Sequence, residues 1–451
     1  MGWNRRYSLV SYLKSSLWVV PMLAIGAALA LVRVTEAFET WFCGLGPGPG
    51  LALGAWRIDR EEAAALLNRI FDLNQTCLVF AFGSLLVAIQ VAGGQYTPRI
   101  IATTLLRDRV IRWIVGLFVF SMLWANRTLI RLDRGVPQLQ VYLGAVFGLA
   151  SLVAFILLID YAARMLRPVS LAIRIGRQGV AVIESVYPAL AGDGPEQRHP
   201  ERPPDATAAR VIPYRHRSAV VLAVNIPRLV REAARHDCVL ELAAQVGDFV
   251  AVGEPLFLVH GAGADIDEKR LAEQVAMGSE RTLEQDPMFA FRIVVDIALK
   301  ALSPAINDPT TAVLAIDQVQ RLLGLVGKRA LHDCEIRDAA GRLRLILRTP
   351  DWEDFVHMSF REIRHYGADS VQVERRLRAM IDTLLATLPA HRHPALHTEL
   401  SLLEAAAQRT RLFAADAALA RIPDSQGLGG ASGSREDASG GASGKRDASP
   451  P

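Results

Sequence analysis

The sequence predicts a membrane α-helical domain of four spans joined to a water-exposed α+β region with a small barrel-sandwich-like β module. Three observations carry that fold class. Apolar runs free of charge occupy 15–32, 73–98, 113–126 and 135–159, and none recurs in the 291 residues beyond position 160. Past residue 210 the apolar positions fall into short alternating runs and helical stripes, punctuated by Gly and Pro. The net charge is only +4 over 451 residues, with many arginines flanking the apolar runs rather than forming a basic surface. Nucleic-acid binding is therefore not expected.

A spanning helix needs about 20 apolar residues. The expected membrane domain, residues 1–167, places spans at about 15–33, 73–92, 110–130 and 139–160. The basic start with Arg5, Arg6 and Lys14 is also how a signal peptide begins. Three later spans favour a retained first helix, since an even number returns the chain to its starting side. Pro21 is expected to kink that helix. The loop 35–72 holds the Gly44–Gly50 run of glycines and prolines, then a short interfacial helix from Arg57 to Asn68. Only 14 residues separate Arg112 from Arg127, so the third span needs both arginines to snorkel. Eleven Lys and Arg flank one side of the four spans and seven the other. That bias puts both termini in the cytoplasm.

No Asp, Glu, Lys or His lies deep in these four expected spans, which leaves a proton relay without machinery. Gln75, Gln90 and Asn126, at span edges, are expected to bond between helices. Arg127, Arg131 and Arg134 recur at i, i+4 and i+7 on one helical face. They read either as a vestibule that selects anions or as anchors to lipid phosphates, and anchoring is the simpler reading.

Residues 168–217 read as a helix followed by a flexible, proline-rich loop at 191–209. The β module is expected at 218–262: a strand at 218–225, a helix at 226–236, and two strands around Gly247-Asp248. Val246-Gly-Asp-Phe-Val-Ala-Val-Gly-Glu-Pro-Leu256 resembles the turn-and-strand phrase of biotinyl/lipoyl-like barrel-sandwich domains. No lysine sits at the hairpin tip, so the module is expected to be structural. Residues 263–422 read as mainly helical, with a hairpin at 333–348 and helices at 351–366, 370–388 and 394–420. Asp286-Pro287 and Asp308-Pro309 are helix starts, with the carboxylate as N-cap and Pro at the first helical position. Ser303-Pro304 ends the first of these helices. Residues 423–451 nearly repeat a Gly-Gly-Ala-Ser phrase and read as a disordered tail.

Arg281, Asp286, Ser303, Pro304, Asn307, Asp308 and Pro309, with Arg292 nearby, form the one candidate polar corner. The competing reading makes both aspartates helix caps and Asp296–Lys300 an ordinary i, i+4 pair. No HExxH, P-loop, GxSxG or dinucleotide fingerprint supports catalysis. Cys43, Cys77, Cys238 and Cys334 form no CxxC pair, and His391, His393 and His397 straddle Pro394 without nearby acids. No metal or cofactor is expected.

Arg281-Thr282, Asp286 and Ala301-Leu-Ser-Pro-Ala-Ile-Asn-Asp-Pro-Thr-Thr-Ala312 resemble the hallmark of a bacterial membrane-protein family catalogued as domain of unknown function 2254. Gln95-Tyr-Thr-Pro-Arg-Ile-Ile and Arg107-Asp-Arg109 resemble that family's loop between spans two and three. The resemblance implies architecture and location, a bacterial inner membrane, rather than chemistry. Three functions are weighed. The first is a homo-oligomeric channel or transport-related assembly with a cytoplasmic regulatory domain. The second is a membrane scaffold or sensor that binds a partner or small ligand. The third is an enzyme working at the Ser303–Asp308 corner.

Overall fold

The computed structural model describes residues 2–43, 58–95, 108–165, 167–192, 210–331, 334–410 and 413–430. The chain divides into two compact units. The first comprises Met1–Arg174, Arg202–Asp286 and Glu335–Arg348; the second comprises Ile175–Glu201, Pro287–Cys334 and Thr349–Pro451. The Gly44–Gly50 run, the Gln95–Ile101 loop past its first residue, most of the 191–209 loop and the tail from 431 lie outside the described residues.

In the first unit, α1 (Trp3–Ser15) precedes a bundle of α2 (Val19–Cys43), α3 (Arg60–Gln95), α4 (Arg109–Arg131) and α5 (Gln138–Met165). These last four are long and apolar enough to cross a membrane. The inner helix is α4, which packs against the other three. Small residues bring the backbones together: a Cβ on Gly148 of α5 would stand 2.9 Å from Ile70 Cγ1, and one on Gly116 of α4 would stand 3.0 Å from Val20 Cγ1. Fully buried Trp124 fills the centre and donates its indole N–H to the Gln140 carbonyl at 2.9 Å.

Polar groups join the helices, but not the ones expected. Asn74 Nδ2 donates to Ser121 Oγ at 3.2 Å, and Gln140 Nε2 donates to Thr35 Oγ1 at 2.9 Å. Gln75, Gln90 and Asn126 are exposed instead. Two further expectations are corrected here. The separate 57–68 helix and the 73–92 span are one helix, α3, of 36 residues, about 54 Å long. Asp59 Oδ1 accepts the Glu62 N–H at 2.8 Å, and the buried stripe Ala63, Leu67, Ile70, Asn74, Cys77, Ala81 runs on without a break at Asn68. Pro21 sits in the first turn of α2, where proline costs no hydrogen bond, so it makes no mid-helix kink.

The same unit carries β1 (Arg210–Pro213), β2 (Ala219–Val224), β3 (Cys238–Leu242), β4 (Phe249–Val250), β5 (Pro255–Gly261), β6 (Val275–Gly278), β7 (Cys334–Arg337) and β8 (Leu343–Leu347). They form a five-stranded sheet, β1-β5-β3-β8-β7, and a three-stranded sheet, β4-β2-β6. The β3–β8 pair is parallel, Leu240 opposite Leu345. The β region is therefore assembled from wider stretches than 218–262. Helix α7 (Ile226–Arg235) packs on β3 and β8, and the short α8 (Glu268–Ala272) leads to β6. Trp3 and Tyr7 of α1 lie against Leu222, Ala223 and Ala276, and the Asn4 N–H donates to the Glu273 carbonyl at 3.0 Å.

The second unit is helical. It contains the later turns of α6 (Pro168–Val186), then α9 (Pro287–Ala301), α10 (Pro309–Val326), α11 (Trp352–Tyr366), α12 (Val371–Thr387), α13 (His393–Thr410) and α14 (Ala414–Ala420). Phe291, Phe355, Phe360 and Leu323 are buried at its centre. The expected tail starts later than Pro423. Arg375 Nε donates to the Ile422 carbonyl at 2.9 Å and Nη1 to that of Gly429 at 3.0 Å, so residues 422–430 form a strap on α12.

Candidate functional site

The residues of the candidate corner are shared between the two units. Arg281 and Asp286 belong to the first unit, where Arg281 Nε donates to the buried Asp286 Oδ2 at 3.0 Å. Gly247, at φ +98°, makes room for this pair, because a Cβ there would fall 2.0 Å from Arg281 Nη2. The remaining residues belong to the second unit and serve the turn between α9 and α10. Asp308 Oδ1 accepts the Thr311 N–H at 3.0 Å and Oδ2 accepts its hydroxyl at 2.6 Å. Ser303 Oγ donates to the Lys300 carbonyl at 2.7 Å, the Ser303 carbonyl accepts from Ile306 and Asn307, and Asn307 takes φ +46°. Pro304 is exposed, and Pro309 opens α10.

Arg292 turns to other acids. Its Nη1 reaches Glu362 Oε1 at 2.7 Å and its Nε reaches Asp296 Oδ1, also at 2.7 Å. The hydrogen bond to Glu362 leads in raising the Arg292 pKa, against burial. Asp296 thus pairs with Arg292 rather than with Lys300. On α4, Arg131 Nε lies 3.4 Å from Glu36 of α2, Arg127 is half-buried, and the Arg134 side chain lies outside the described residues. Asp108 has a structural role: it caps α4 through the Val110 N–H at 2.8 Å and accepts from Tyr161 Oη and Arg174 Nη1, both at 2.5 Å. Cys77 and Cys238 are buried, and burial leads in pushing the Cys238 thiol up. Among the described residues no group of three His, Cys, Asp or Glu could hold a metal ion.

The arrangement that stands out lies on the outer face of α3. Helix register fixes its level in the bundle. Leu67 faces Gly144 and Ile70 faces Gly148, while Asn74 meets Ser121 near the middle of α4. Arg69 and Asp72 therefore sit level with the central stretch of α4 and α5, not at a helix end. Asn68, Arg69, Asp72, Gln75 and Thr76 are all exposed, on the face opposite the buried stripe. Among the described residues neither Arg69 nor Asp72 has a charged partner. The signal was present in the sequence as polar residues at i, i+1, i+4, i+7 and i+8 from Asn68. A second span read from the start of the uncharged run begins after Asp72 and leaves most of this face outside the bilayer.

Known proteins offer the following comparisons. The family model described as Predicted membrane protein (DUF2254) matches residues 14–383. Uncharacterised proteins of Mycobacterium bovis and Mycobacterium tuberculosis are 26% identical to the chain over 428 residues, covering 90% of it and 79% of each relative. No solved structure matches.

Proposed function

This chain belongs to the DUF2254 family of predicted membrane proteins, and we propose that its copies associate in a bilayer around the outer face of α3, enclosing a water-filled path for small ions. The observation that carries this reading is the unpartnered polar face at 68–76. If α4 crosses from Arg109 to Arg131, its midpoint is near Phe120. The Asn74–Ser121 contact then puts Asp72 within about 5 Å of the bilayer midplane. A lone charge at that depth costs about 2.5–3.5 kcal/mol on insertion scales. Lipid cannot offset that cost; water or a facing copy can.

The rest of the bundle fits the same reading. Its centre is filled by Trp124 and Phe118, which argues against a path through one chain. The outer face of α5, with Leu149, Val153, Ile156 and Leu157, suits lipid. In a closed ring of copies, the Asp72 carboxylates form the deepest ring of charge and favour cations. Arg69 stands one turn nearer the end that carries Arg127.

Purified protein reconstituted in planar bilayers tests the proposal. Wild type is expected to give cation-selective currents, and Asp72→Asn is expected to lower the cation-to-anion permeability ratio several-fold. A monomer in native membranes, or bilayers that stay silent at every voltage and gradient, would contradict the reading.

A further inference from the structure

We infer that the groove between α2 and α4, at the end where both helices begin, holds one acyl chain of an anionic phospholipid whose phosphate lies against Arg109. The inference rests on the helices crossing a bilayer, though not on a pore. The groove, of about 330 Å³, is lined by Val20, Ala24 and Ala27 of α2 and by Gly116, Leu117 and Phe120 of α4. Its form follows from side-chain size. Gly116 lets the two helices approach, and the small Ala24 and Ala27 leave a furrow beside the contact. The lining is almost wholly apolar, so the furrow suits a hydrocarbon chain and offers a water molecule no set of partners.

The head group is argued from the residues at the same end. Arg109, Trp113, Gly116, Leu117 and Phe120 follow one another at i, i+4, i+7, i+8 and i+11, a single stripe along α4. Arg109 is exposed, and no carboxylate pairs with it among the described residues. Its Cβ points toward the helix start, so the guanidinium extends outward to the phosphate level. Trp18 and Trp113 are 51% and 69% exposed, and Trp113 rims the groove where indoles favour the bilayer interface. A guanidinium binds phosphate in a bidentate fork. Cation, interfacial indole and apolar furrow thus stand in the order of a phospholipid's phosphate, glycerol and chain. A helix from a second copy would fill the furrow but leave the Arg109 charge unused.

Native mass spectrometry of the full-length protein, with phosphatidylglycerol or phosphatidylcholine of matched chains, reads the site directly. Wild type is expected to retain one phosphatidylglycerol per chain in preference to phosphatidylcholine. Arg109→Gln should reduce that preference about tenfold, and Arg109→Lys should preserve most of it. Ala24→Leu, which fills the furrow, should release both lipids. Retention unchanged in Arg109→Gln and Ala24→Leu overturns the proposal. So does an Ala24→Leu variant that loses only self-association, which would make the furrow an interface between copies. Protein extracted from membranes by alkaline wash would overturn the spanning reading and the lipid site together. Loss of channel current with lipid retention intact would overturn the pore alone.

Discussion

Asp72, Asp308 and Asp424 show how one residue type takes three roles according to what surrounds its carboxylate. Asp72 has no charged partner among the described residues, Asp308 caps a helix, and Asp424 organises a loop. For Asp424, burial alone would raise the pKa, but the N–H groups of Gly429, Gly427 and Gln426 outweigh it and hold the carboxyl below its usual range. A group with a lowered folded-state pKa contributes its full stability above the unfolded value of about 3.9 and loses it as pH falls through the folded value. The strap at 422–430 is therefore expected to loosen only in acid. Hydrogen exchange at the Gly427 and Gly429 amides checks this: protection should hold from neutral pH down to about pH 5 and fall below the carboxylate range. Asp424→Ala should remove that protection at neutral pH, at a cost of about 1 kcal/mol. An acid-insensitive strap would show that Arg375 and Gln372 hold it without Asp424.

At the scale of elements, the parts legible in the sequence are those whose cause is local. The starts of α9 and α10 at Pro287 and Pro309 follow from the Asp-Pro steps, and the end of α9 at Ala301 follows from the turn before Pro304. The illegible parts depend on distant partners. Whether α3 breaks at Asn68 is decided by Gly144 and Gly148, which accept Leu67 and Ile70 from another helix. The parallel pairing of β3 with β8 joins residues about a hundred positions apart in sequence. The strap depends on Arg375, whose side chain composition cannot orient. The corner was half legible: its residue types marked a turn, and only geometry showed that Asp286 pairs with Arg281 while Asp308 caps α10. Asp308→Asn keeps a good N-cap and should leave thermal stability and conductance within error, whereas Asp308→Ala should cost about 1 kcal/mol. A folded Asp308→Asn protein without conductance would give the corner a chemical role.

For the molecule as a whole, charge distribution matters more than net charge. The paired charges serve cohesion: Arg131 with Glu36, Arg174 with Asp108, and Arg292 with Asp296 and Glu362. Among the exposed charges of the bundle, Arg69 and Asp72 on α3 and Arg109 at the start of α4 are given a role outside the single chain. The α3 face is the central claim, and water access tests it most directly. In a variant lacking the native cysteines, single cysteines at Asp72, Thr76, Val153 and Ile156 would be challenged in intact membranes with a membrane-impermeant thiol reagent. A water-lined α3 face should give rapid modification at positions 72 and 76 and none at 153 and 156. Equal silence at all four positions, with no cross-link between copies at position 72, would contradict it.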